Sequence, residues 1–112
     1  LERMLKHLYV EIDATDEQKQ RLAPIVKQAA KDLLPLREKM QAARKQAIEL
    51  FRGETIDRGA IEALRAEQLQ FAEQASRRIA QSLADAAEVL TPSQRKELAA
   101  RVEKHRRGWR HG

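Results

Sequence analysis

The sequence predicts an all-α fold of four helices, two of them long and paired as a bent antiparallel hairpin. Three features predict it. The composition favours helix formers, apolar residues repeat in sevens from Leu22 to Leu50, and two short capping boxes, at Thr15 and Thr91, each open a helix.

The composition sets the scale. At roughly 100 to 200 residues per domain, 112 residues make a single helical domain spanning 1–112. Of the 47 apolar residues 18 are Ala, and only four aromatics are present, so the core is expected to be thin. Charged residues reach 35%, whereas there are only four Gly and three Pro, a balance that suits long helices better than sheets. The absence of Cys removes disulfides, thiolate metal ligands and Cys nucleophiles. The longest uncharged runs, 79–84 and 89–94, are too short to span a bilayer. The chain starts at Leu1 instead of an initiator Met, which reads as a processed or trimmed piece with any signal peptide upstream.

The first helix is short, carries Met4, Leu5 and Leu8, and ends before Ile12-Asp13-Ala14. The second is expected from Asp16 to Arg52, about 55 Å at about 1.5 Å per residue. Thr15 caps it, Gln18 reaches back three residues later, and Asp16 and Glu17 suit the positive helix end. Leu22, Ala29, Leu36, Ala43 and Leu50 form one seam of its stripe, and Val26, Leu33, Met40 and Ala47 the other. The stripe keeps its phase through Pro24 and Pro35, so the expectation is one continuous helix bent at the prolines.

Gly53-Glu54-Thr55 makes the turn, and its shortness returns the next helix antiparallel to the second. That third helix starts near Asp57 and carries Ile61, Leu64, Phe71, Ala75, Ile79, Leu83, Ala86 and Leu90, with Gln68 and Ser82 interrupting the inner stripe. The fourth opens at Thr91, with Pro92 in the first helical position and Gln94 completing the box, and carries Leu98 and Val102.

The segment Leu90-Thr91-Pro92-Ser93-Gln94 matches the LTxxQ motif, and Ala14-Thr15-Asp16-Glu17-Gln18 resembles its first copy with Ala14 in place of Leu. With both motifs opening helices at the same end of a long hairpin, the chain resembles the Spy/CpxP family of bacterial periplasmic proteins over nearly its whole length. The resemblance implies a curved homodimer in the periplasm that binds unfolded or aggregation-prone polypeptides without ATP and takes part in the envelope stress response. Relatives that sense or resist heavy metals supply the alternative. The motif positions carried over are Thr15, Gln18, Leu90, Thr91 and Gln94, and their physical role here is helix capping.

A homodimer also follows from the thin hairpin, whose Ala-rich seams bury little apolar surface against the entropy of ordering the chain. On the second helix Lys27, Lys31, Lys45 and Arg52 share a face outside the stripe, with Leu34 and Ile48 between them. Such a face suits unfolded clients, because lysines attract acidic segments at long range and the aliphatic residues take up apolar side chains on contact. A merely solvated face, moderated by Glu38 and Glu49, has the same pattern.

The net charge of +5 lies wholly in residues 94–112, which hold seven Lys/Arg and two Asp/Glu. The block 105–112, with Trp109, reads as a basic, flexible tail; the sequence points to no specific nucleic-acid partner. His7, His105 and His111 form no HxxxH pair, so they are weak metal candidates and no cofactor is expected. Carboxylates are scattered beside Lys and Arg at helix-surface spacing, and no Gly-rich phosphate loop is present. An enzyme is therefore not expected.

Overall fold

The computed structural model describes residues 1–111, and the side chains of residues 1–108. It consists of four helices, α1 (Glu2–Glu11), α2 (Asp16–Arg52), α3 (Arg58–Val89) and α4 (Pro92–His111), with no strand among the described residues. The order of the helices and the bounds of α1 and α2 are those expected from the sequence, and α2 runs unbroken through Pro24 and Pro35. Residues 105–111, expected as a flexible tail, continue α4 as helix. Gly108 is the sole strong breaker in that stretch, at about 1 kcal/mol, and cations near a helix C-terminus are favourable.

Packing divides the chain into two compact units, Leu1–Val26 with Leu83–Gly112, and Lys27–Ser82. The first holds nearly all of the buried apolar bulk. Ile12, Leu22, Val89 and Leu90 form its core, and Leu8, Tyr9, Ile25 and Leu98 pack against them.

The second unit is a two-helix hairpin. Asp32 pairs with Arg78, Lys39 lies over the Phe71 ring, and Leu50 shares a groove with Ala60. The sequence gap narrows steadily toward the turn, as antiparallel pairing requires. Only Ala29 and Ala43 are buried in this unit, while Leu33, Leu36, Met40 and Leu50 stay half-exposed. Ala47, expected on the inner seam, is exposed. Two helices touch along one line, so the outer edge of a stripe wider than that line remains in water.

The α1–α2 junction is a Schellman turn. Asp13 takes the left-handed conformation (φ 52°), Ala14 N–H donates to Tyr9 O (3.0 Å) and Asp13 N–H to Val10 O (3.3 Å). The turn places Ile12, 2% exposed, into the core immediately before the cap at Thr15. A non-glycine residue is strained in this conformation, although Asp tolerates it better than most. Asp13→Gly is expected to stabilise the chain by about 0.5–1 kcal/mol, read as a rise in the urea midpoint at unchanged m-value.

Candidate functional site

The two capping boxes lie together in the first unit, and their glutamines face one another. At the first, Gln18 N–H donates to Thr15 Oγ1 (3.1 Å) and Thr15 N–H to Gln18 Oε1 (3.0 Å). At the second, Gln94 N–H donates to Thr91 Oγ1 (3.2 Å) and Thr91 N–H to Gln94 Oε1 (2.9 Å). Each side chain thus bridges its own box and still has its amide N–H2 to offer.

Those amides are spent on each other. Gln18 Nε2 donates to Gln94 Oε1 at 2.7 Å, and Gln94 Nε2 returns a bond to Gln18 Oε1 at 3.0 Å. The second hydrogen of Gln18 Nε2 goes to Val89 O and that of Gln94 Nε2 to Ile12 O, both at 3.2 Å. Every donor and lone pair of both amides is used, and this allows Gln18 to be 8% exposed without an unsatisfied group. The clasp joins the α1–α2 junction to the α3–α4 junction. Leu90, the other motif position, is buried in the core beside it.

Around the clasp, Lys19 Nζ sits 5.9 Å from the centroid of the Tyr9 ring. Arg101 ties α4 to α1 through Glu11, 3.6 Å from its carboxylate and 3.5 Å from its carbonyl oxygen. His7 Nε2 lies 2.8 Å from Glu11 Oε1, one turn away on α1. His105 lines an open groove with Glu11, Arg101 and Lys104. The His111 side chain lies outside the described residues. Among the described residues no three of His, Cys, Asp and Glu converge, and the two cations beside Glu11 and His105 oppose a metal ion there. Among the described residues the donor set does not fit a resident metal.

In the second unit Lys27, Lys31, Leu34, Lys45, Ile48 and Arg52 occupy one exposed face of α2, away from the buried Ala29 and Ala43. Leu34 and Ile48 are 53% and 52% exposed. Arg52 pairs with Glu49 at 2.9 Å, so part of that positive charge is neutralised on the face itself. Sequence reasoning passed over a neighbouring groove of about 350 Å³, floored by Leu33, Leu36, Met40, Ala75 and Ile79 and edged by Arg37 and Arg44. The signal was present in the seven-residue spacing of the two arginines. What the groove contains, however, depends on how α3 lies against α2.

Asp32 anchors that pairing. The Arg78 guanidinium donates to it at 2.9 Å, Gln28 adds a second bond, and the carboxyl is held below its ordinary value of 3.8. A depressed folded-state pKa means that the stabilisation is present above the ordinary carboxylate range and disappears as pH falls through the folded value. Asp32→Asn is therefore expected to flatten the acid limb of the stability profile below about pH 4, and Arg78→Gln to move the Asp32 titration upward by carboxyl NMR.

The clasp makes a sharper prediction. Gln94→Ala strands the Gln18 amide and the Ile12 carbonyl, at an expected cost of about 2–4 kcal/mol. In a double-mutant cycle with Gln18→Ala the two changes should fall short of additivity by about 1–2 kcal/mol. Gln94→Glu replaces two donors with acceptors facing Gln18 Oε1 and Ile12 O, so its destabilisation should lessen as the pH is lowered and the carboxyl regains a hydrogen to donate.

Compared with known families, the chain matches the heavy-metal resistance family over residues 5–97. Comparisons with curated proteins and with solved structures returned no significant match. The family match takes in most of α1, both long helices, the two capping boxes and the start of α4. The chain belongs to the heavy-metal resistance family, an all-α, Spy/CpxP-like family that is not a family of enzymes.

Proposed function

We propose that this protein is an ATP-independent chaperone of the periplasm that works as a homodimer and holds unfolded polypeptides on the helical hairpin. The observation that carries the proposal is the exposure of large apolar residues on a scaffold rich in Lys and Arg. Leu34, Ile48, Leu69 and Ile79 all stand in solvent along the hairpin, and its inner seam buries only alanines. Exposed aliphatic side chains on two paired helices are surface that a bound polypeptide can cover.

Lys27, Lys31 and Lys45 supply long-range attraction for acidic stretches of an unfolded chain, and Leu34 and Ile48 supply short-range apolar contact. Neither demands a particular sequence, which suits a binder of many clients. The half-exposed seam residues of the hairpin are compatible with a second copy covering one of its sides. No helix among the described residues is long and apolar enough to cross a membrane.

Family membership favours a second reading, heavy-metal sensing or resistance. Among the described residues no three metal-ligating side chains converge, so this reading calls for ligands from a second copy or a partner. Calorimetric titration with zinc or copper discriminates: stoichiometric micromolar binding lost on His7→Ala supports it.

For the chaperone reading, near-stoichiometric protein is expected to suppress light scattering by a chemically denatured client diluted into buffer. Lys31→Glu with Lys45→Glu should weaken protection several-fold at low salt and less at high salt. Sedimentation should show a dimer at micromolar concentration. Unchanged scattering with the unaltered chain rejects the reading.

A further inference from the structure

The first unit contains a groove of about 620 Å³ walled by all four helices, with Leu22, Leu83, Leu98 and Val102 among its lining residues. Its only charged lining residues are Arg95 and Glu103; every other residue of the wall is Leu, Ile, Val or Ala. Leu83 and Val102 are 64% and 60% exposed, so this apolar wall is open to solvent. We propose that the groove binds the hydrocarbon chain of a single-chain anionic amphiphile, a long-chain fatty acid, with its carboxylate on Arg95. This goes beyond the chaperone reading and does not depend on it.

Size and chemistry select this ligand. A volume of this order is that of small-molecule sites, roughly 300–1,000 Å³. If a methylene occupies about as much space as a water in the liquid, roughly 30 Å³, a chain of about 16 carbons fills most of the groove. A peptide laid in the groove would bring backbone N–H and C=O groups to a wall with no side-chain partner for them apart from Arg95 and Glu103, whereas a hydrocarbon needs none.

Charge sets the direction. Arg95 has no ion-pair partner among the described residues, and it lies in the opening turns of α4, where the positive end of the helix adds to its attraction for an anion. Glu103 is eight residues further along α4, about 12 Å away, and repels a carboxylate placed at that end. The head group therefore belongs at Arg95 and the tail runs between the helices.

The test is displacement of a fluorescent fatty-acid analogue from the full chain by laurate, myristate and palmitate below their micellar concentrations. Affinity is expected to rise about tenfold for every two carbons and to level off near palmitate, at one ligand per chain. The alcohol of equal length should bind at least tenfold more weakly, and Arg95→Gln should erase that difference. Val102→Asp, at an exposed wall position, should cut palmitate affinity more than tenfold with unchanged helicity. Non-saturable binding, equal affinity for acid and alcohol, or no effect of Val102→Asp overturns the proposal. So does an oligomer that Val102→Asp disperses while palmitate fails to bind, the result expected if a second copy occupies the groove. Tighter displacement by an apolar peptide than by palmitate overturns it too. Client protection is read separately, so failure here leaves the chaperone reading standing.

Discussion

The first unit depends on one reciprocal pair of amides. Gln18 and Gln94 each close a capping box and then donate across to the other, and their remaining hydrogens are taken by the carbonyl oxygens of Val89 and Ile12. Buried amides are costly unless fully paired, and here pairing is complete only when both helix junctions are correctly placed. The apolar contacts of Ile12, Leu22, Val89 and Leu90 supply nonspecific cohesion, while the clasp supplies register, because a shifted helix leaves donors unmatched.

The second unit has no such device. Its seam buries Ala29 and Ala43 and leaves longer side chains at the edges, so its order rests on helix propensity, edge contacts and pairs such as Asp32 with Arg78. Surface pairs of this kind contribute little individually. The economy has a functional consequence: aliphatic surface that a larger core would hide is available along α2 and α3. The same chain thus combines a specified apolar cluster with a lightly packed hairpin suited to contact with other molecules.

Much of the architecture was legible because helix signals are local. The seven-residue repeat, Thr15 and Thr91 as caps, Pro92 in a first turn and Gly53 at the hairpin all act over a few residues, and the four helices follow from them. The exposure of Ala47 was not legible, since the width of the buried strip depends on how two helices touch. The groove edged by Arg37 and Arg44 escaped for the same reason, and the histidines offered too little pattern to place.

What the sequence determined by itself is the helical class, the points where the helices start and the residue types along each one, all consequences of propensity and periodicity within single segments. Only the tertiary structure decided that the glutamines of two motifs 76 positions apart exchange hydrogen bonds, and that Leu22, Leu83, Leu98 and Val102 wall one groove. Those facts are contacts between segments distant in the chain, and no local free-energy preference encodes which carbonyl a side-chain amide will find.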